Sequence, residues 1–321
     1  LMNITNIAAS LMKLDFQVAS KTNINRIIQE MSKSVQNLEL ASIPIINENI
    51  LNLIQQNRMN RPGLGEEFIN TKFTEIQAFK QRIEMVNTIG VITGFYISDA
   101  KPPAPETDGP SSCINLCYNL LLQGKQCQLF TEDCCSKLIV NTIEKLEQLF
   151  PFLPKLKVLT PQSINFASEI NKVEVAIFIE KVGFNAENQC LSMRAKNVSA
   201  FNSPIYSQMK FPYSFGVGDG GNEIGCGKFK FENIMPKEIK CVVETDNSLL
   251  CDISNFGGHL LSRVISTNTS YQICKKLLSE QLLVELLVDN GAVDGVKGVQ
   301  QVSVDGMNFQ EYLEIIAKIW E

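Results

Sequence analysis

Apolar residues first recur at helical spacing. In "INRIIQEMSKSVQNLEL", Ile27, Ile28, Met31, Val35 and Leu38 fall on one stripe, the pattern of an amphipathic helix. Residues 1–60 read as a helical segment. "RPGLG" at 61–65 breaks the pattern, and a further helix is expected over about 66–88. "IGVITGFYI", 89–97, is apolar apart from glycines and one threonine, as a strand buried on both faces would be. The Pro-rich "SDAKPPAPETDGP" is a loop, and a helix runs from its end to Gly124. Strands are expected at 127–130, 155–160 and 174–180, with helices at 133–149 and 161–171 between them.

Beyond 180 the chain turns irregular through "FGVGDGGNEIGCGKF", 215–229. "EIKCVVET", 238–245, reads as a strand. Helices are expected at about 257–267 and 271–288, "VQQVSVDGM" reads as strand and turn, and "FQEYLEIIAKIW" forms the last helix. Strands alternating with helices predict an α/β fold: a largely parallel or mixed sheet with helices on both faces, plus the N-terminal helical segment. The expected division is a helical extension over 1–60 and an α/β domain over 61–321.

Composition narrows the function classes. The 321 residues carry a net charge of −5, with 45% hydrophobic and 20% charged residues. The charge speaks against nucleic-acid binding, which needs a basic surface. No apolar run approaches bilayer length, so a membrane span is not expected. Ten cysteines and one histidine show no zinc spacing. They read mostly as buried thiols of a reducing compartment; Cys226 in the glycine loop is the one candidate for a reactive thiol, with packing as its expected role. The chain begins at Leu1; a removed presequence would fit a mitochondrial protein, although the opening itself is not Arg-rich.

Gly216-x-Gly218-x-x-Gly221 formally satisfies the dinucleotide fingerprint. The preceding "NSPIYSQMKFPYS" holds two prolines and does not read as a strand. Asp219 and Glu223 would also put negative charge where pyrophosphate sits. Lys228 does not complete a P-loop, because Phe229 stands where Ser or Thr is needed. No nucleotide is therefore expected. Asp219, Asn222 and Glu223 on a glycine-rich backbone offer hard oxygen ligands for Mg²⁺ or Mn²⁺. They equally suit the ammonium of an amino acid, or serve as turn caps. Further acids follow expected strands: Glu106 and Asp108, Glu180, and Glu244 with Asp246. In open α/β sheets, sites form beyond the carboxyl ends of strands, so a shared acidic pocket is expected.

"GVITGFYI" followed by "APETDGP", then "GVGDGGNEIGCGK", "ISNFGG" and "VDG" resemble, in order and separation, the D-glutamate cyclase family. The match runs from about residue 89 to 309. The resemblance implies an enzyme that converts D-glutamate to 5-oxo-D-proline and water with a divalent cation, Mn²⁺ or Mg²⁺, in a family with a mitochondrial branch. A matrix location is expected, with the cytoplasm as alternative. By the resemblance, Glu180, Asp219, Glu223 and Glu244 are the catalytic candidates. Thr107, Asp108, Gly220, Gly221, Asn222, Arg194 and Asn255 would bind substrate, and Asp108, Asp219, Glu223 and Asp246 the metal. After Glu180 this sequence departs from the family pattern. Lys181 and Phe184 replace arginines, natural partners of a substrate carboxylate. This leaves a second expectation: a catalytically degenerate relative kept as an accessory subunit, with protein partners, in a larger mitochondrial assembly.

Overall fold

The computed structural model describes residues 48–61, 73–229, 236 and 238–321. The helical stripe expected at 27–38 and the start of the helix expected from 66 lie outside the described residues. Helix α1 (Glu48–Ile54) opens the described chain and places Leu51 and Ile54 in the main core. Helix α2 (Phe73–Met85) buries Ile76, Phe79 and Ile83, the i, i+3, i+7 stripe of an amphipathic helix.

The sheet then builds up in the expected alternation. Strand β1 (Thr88–Ile92) is followed by the short hairpin β2 (Tyr96–Ile97) and β3 (Ala104–Pro105), then α3 (Pro110–Leu122). Next come β4 (Gln126–Phe130), α4 (Asp133–Leu149), β5 (Lys157–Leu159), α5 (Phe166–Ile170), β6 (Val175–Ile179) and α6 (Ile205–Gln208). Strand β7 (Ser214–Gly218) leads into the glycine loop. After β8 (Asn247–Leu250) the chain is helical: α7 (Ser254–Ile265), α8 (Asn268–Lys276), α9 (Glu280–Asp289) and α10 (Phe309–Ile319).

Among the described residues the main sheet has six strands in the order β5-β4-β1-β6-β7-β8, and every pairing is parallel. From β1 the chain winds outward to β4 and β5, then returns to the other side of β1 and winds outward again. The crevice beyond the carboxyl ends of β1 and β6 is therefore a topological switch point, where ligands of open α/β sheets bind. Strand β6 shows the two buried faces residue by residue. Val175, Ile177 and Ile179 join the core under α1–α4 and α7–α10, while Ala176 and Phe178 join the core against α5 and α6. This is the α/β architecture the sequence pattern predicts.

Several boundaries differ. The run 89–97 is not one strand: at Gly94 (φ 119°) the chain leaves the sheet. The helix expected at 161–171 is confined to Phe166–Ile170, and that at 271–288 is two helices, with Ser279 accepting from the Leu282 N–H to cap the second. "VQQVSVDGM" contains no strand. Segment 238–245 is not a strand either. Its backbone bonds to the glycine loop instead: Cys241 N–H donates to Gly221 O, and Val243 O accepts from Gly225 and Gly227. The expectation that no strand precedes the glycine loop also fails. Ser214–Gly218 is short and holds two glycines, but its neighbours β6 and β8 pair with it on both sides.

Two helix starts are locked to each other beside β1. Asp108, just before α3, accepts from the backbone N–H of Ser254 (2.9 Å) and Asn255 (2.8 Å) at the start of α7. Asn255 in turn accepts through Oδ1 from Gly109 (3.0 Å) and Ser112 (3.3 Å) at the start of α3. Each helix thus satisfies the other's orphan donors. Close approach requires Gly258, where a Cβ would lie 2.6 Å from Ser112 Cβ. Gly258→Ala should cost about 1–3 kcal/mol by overpacking. Denaturant unfolding of the variant alone and with Ser112→Gly checks this; unchanged stability would remove the packing role given to Gly258.

Candidate functional site

A cavity of about 260 Å³ lies at the switch point. That is just below the roughly 300–1,000 Å³ of drug-sized sites, a volume suited to a metabolite of amino-acid size. The elements around it converge for topological reasons. Glu106 and Asp108 follow β1 through the β2–β3 hairpin, Glu180 follows β6 directly, and Asp219 follows β7. Asp305 arrives from the loop before α10. Glu106, Glu180, Asp219, Asn222, Glu223 and Asp305 line the cavity together with Arg61 and Arg194. Asp108 lies just behind. None of these carboxylates is more than 6% exposed.

Asp108, Glu180 and Asp219 can each offer a carboxylate oxygen within 4.8 Å of the others. Asp108 is fixed by the two helix starts. Glu180 takes a left-handed conformation (φ 47°) that a non-glycine residue adopts only under tertiary constraint. Its Oε2 accepts from Ser254 Oγ at 2.6 Å. Gly109, with φ 92°, makes room for it, because a Cβ there would lie 2.8 Å from Glu180 Cβ. Asp219 is paired with the Arg61 guanidinium (2.7 Å), which also contacts Asp305.

The glycine loop is an anion cradle filled by its own acid. The backbone N–H groups of Asp219 (3.3 Å), Gly220 (2.8 Å) and Gly221 (2.8 Å) all donate to the Glu223 carboxylate, and Cys226 Sγ adds a fourth contact at 3.3 Å. Successive N–H groups of this kind form an anion-binding nest, so Glu223 stands where a phosphate would lie. Its oxygens are spent on the loop, which makes it a structural clamp for Asp219 rather than a free base.

Burial is the first cause of the perturbed acidities. It pushes the carboxyls of Glu106, Asp108, Glu180 and Asp219 well above the usual range, and mutual repulsion pushes them further. Backbone donors at Ser254 and Asn255 oppose this at Asp108, and Arg61 opposes it at Asp219. Among the described residues, Glu106 Oε1 and Asn222 Oδ1 are buried without a hydrogen-bond partner. The three converging carboxylates form a hard-oxygen donor set that fits a divalent cation, and the two unmet acceptors line the same cavity.

The structure brings together Glu180, Asp108, Asp219, Asn222 and Glu223 among the expected site residues, with Gly220 and Gly221 in the clamped loop. Thr107 and Asn255 sit behind them: Thr107 donates to Ser303 O, and the Asn255 amide to Thr107 O. Arg194 reaches the rim, where its guanidinium meets Asp99 and Val296 O (2.7 Å). Glu244 and Asp246 are not at this site. Both are exposed and line a separate groove with Lys210 and Lys228. The reason is topological: they precede β8, so they lie toward the amino edge of the sheet, opposite the cavity. Lys181 turns away to a buried ion pair with Glu132 and a bond to Asn202 (3.0 Å). Phe184 packs beside a small apolar cluster and does not line the cavity. The sole histidine is buried elsewhere, between Glu280 and Trp320. The reading from sequence missed Arg61 and Asp305, and it expected Glu106 in the acidic pocket without giving it a role. Asp305 sits in the second of two VDG triplets, and Glu106 beside "TDGP", so both carried a signal; Arg61 had only a break before a helix.

A family model described as D-glutamate cyclase-like, C-terminal, matches residues 51–320. The human protein named "D-glutamate cyclase, mitochondrial" is 25% identical over 71% of this chain. The chain spans 44% of that protein's length. The crystal structure of an exopolyphosphatase-related protein from Bacteroides fragilis aligns with 77% of this chain and 56% of its own, with a TM-score of 0.37 and 14% identity.

The raised carboxyls carry a pH signature. Where the native pKa exceeds the unfolded one, near 4, the native state keeps protons that the unfolded state releases. That contribution to stability is full below the unfolded pKa and is lost as pH rises through the native values. In metal-free buffer, unfolding free energy should fall as pH rises above about 5, by about 1.4 kcal/mol per pH unit for each carboxyl still protonated. Glu106→Gln should reduce the slope by close to one proton. Denaturant titrations at several pH values measure it; a slope that is flat or rising in the native chain would contradict the assignment.

Proposed function

The chain belongs to the D-glutamate cyclase-like, C-terminal family, and from that premise we propose that it closes D-glutamate to 5-oxo-D-proline with loss of water. The observation that carries the proposal is the buried Asp108–Glu180–Asp219 cluster facing a cavity at the switch point of the sheet. Asp108 and Asp219 would hold a divalent cation, Mn²⁺ or Mg²⁺, with the Glu180 carboxyl beside it. When bound, such an ion supplies Lewis acidity to a carboxyl oxygen and offsets the clustered negative charge. The name of the human relative supports a mitochondrial location.

The chain's own residues account for the proton traffic. The reaction joins the α-nitrogen to the γ-carboxyl carbon and breaks one carbon–oxygen bond there. Two protons of the ammonium leave with the departing oxygen as water. Glu180 is the group placed to carry them. Its pKa, raised first by burial and then by Glu223 and Asp108, lets it accept a proton from the ammonium and return it to the leaving oxygen. Ser254 Oγ holds one carboxyl oxygen of Glu180 and so orients the other. The acidic wall of the cavity attracts the ammonium. The small cavity limits the water that competes for these groups.

The alternative reading, an accessory subunit without turnover, rested on Lys181 and Phe184. Neither lines the cavity, so neither blocks it.

The test is formation of 5-oxoproline from D-glutamate, followed by mass spectrometry with Mn²⁺ or Mg²⁺ present. Glu180→Gln should lower kcat by about 10²–10⁴-fold, the usual weight of a general acid–base, and Asp219→Asn should also be strongly impaired. Glu244→Gln should leave turnover within about twofold, because that side chain is exposed in another groove. No product from the native chain, or full turnover in Glu180→Gln, would refute the proposal.

A further inference from the structure

The cavity poses an electrostatic problem that its acids cannot solve. A ligand carrying a carboxylate must enter a space walled by Glu106, Glu180, Asp219, Glu223 and Asp305. Like charges this close repel strongly where water is scarce. Among the described residues lining the cavity, the cations are Arg61 and Arg194. Arg194 is at the rim, its side chain 48% exposed and engaged with Asp99. The side chain of Arg61 is 13% exposed and lies inside.

Arg61 is also held in place by a built turn. Asp252, which follows β8, accepts from the backbone N–H of Arg58 (2.9 Å) and Met59 (3.0 Å). Its carbonyl accepts from Arg61 Nε at 3.0 Å. Asn57 and Asn60 take left-handed conformations, and the Asn57 side chain accepts from the Arg61 N–H. The guanidinium then reaches Asp219 and Asp305 through Nη2 alone. With Nε and Nη2 committed in this way, Nη1 is the guanidinium nitrogen with no acceptor among the described residues, and its two N–H groups remain for a ligand.

Resting on the cyclase reading, we propose that Arg61 recognises the carboxylate of the pocket's ligand, with Asp219 and Asp305 holding its fork at the cavity wall. It is the interior cation that lets an acidic pocket admit an amino acid: the ammonium faces the acids and a carboxylate faces Arg61. It thereby sets the substrate class as amino-acid carboxylates and takes the role that Lys181 and Phe184, both pointing elsewhere, do not fill.

The test is isothermal titration of the full chain with four probes. These are Mn²⁺ alone, D-glutamate, 5-oxo-D-proline, and 2-pyrrolidinone, which is the same ring without the carboxylate. Arg61→Gln and Arg61→Lys should each weaken 5-oxo-D-proline by about ten- to a hundredfold, the weight of charge-assisted hydrogen bonds. Binding of Mn²⁺ and 2-pyrrolidinone should hold or tighten. Arg61→Lys keeps the charge, so it separates carboxylate recognition from mere charge balance. If both variants bind 5-oxo-D-proline as the native chain does, the proposal is overturned and the cyclase reading stands. If the native chain binds neither 5-oxo-D-proline nor D-glutamate, the cyclase reading falls. A panel of aspartate, L-glutamate and succinate then decides on Arg61. A carboxylate bound by the native chain and lost in Arg61→Lys sustains its role, and binding of none overturns it. Failure of both variants to fold even with Mn²⁺ would give Arg61 a structural role alone, which also overturns the proposal.

Discussion

Holding six carboxylates in one nearly dry place is the constraint around which this fold is organised. Each charge costs several kcal/mol to bury unless donors or counter-charges replace water. The structure supplies these from distinct sources. Two helix starts hold Asp108, three loop N–H groups hold Glu223, Ser254 holds Glu180, and one guanidinium serves Asp219 and Asp305. The remaining cost appears as raised acidities at Glu106, Asp108, Glu180 and Asp219. That residual cost favours the entry of positive charge into the cavity.

The scaffold makes this arrangement possible through its winding. Strands β1 and β6 are neighbours in the sheet, yet the chain leaves them in opposite directions. The loops at their carboxyl ends diverge and leave a crevice. Reciprocal capping of α3 and α7 then closes the floor of that crevice, and the close helix approach at Gly258 keeps it tight. The same logic explains the glycine loop. Its backbone donors could cradle an anion, but Glu223 occupies them, so the loop projects Asp219 instead of binding phosphate.

Much of the architecture was legible in sequence. The helix at 133–149 and the strand ending at Ile179 were read nearly to the residue, because an amphipathic stripe and a fully apolar run have distinct periods. Two segments misled. "EIKCVVET" alternates as a strand does, but its hydrogen bonds go to the glycine loop. "SFGVG" lacks strand character, yet two neighbours impose it. In both, tertiary pairing overrode local pattern. The acids of the cavity were partly legible, since Asp108, Glu180 and Asp219 follow or flank recognisable strands. Glu244 and Asp246 were misplaced because moving the strand from 238–245 to Asn247–Leu250 moves them from its carboxyl end to its amino end.

By itself, the sequence determined the periodic elements, the α/β class and the glycine-rich loop with its acids, because those depend on residues a few positions apart. Only the tertiary structure decided which acids share one cavity, that Glu223 serves its own loop, and that Arg61 enters from 158 positions before Asp219. Hydrogen-bond periodicity is local and leaves a trace in the order of residues. The pairing of buried charges depends on strand order and on which groups lose water together, and neither is written in any short stretch of chain.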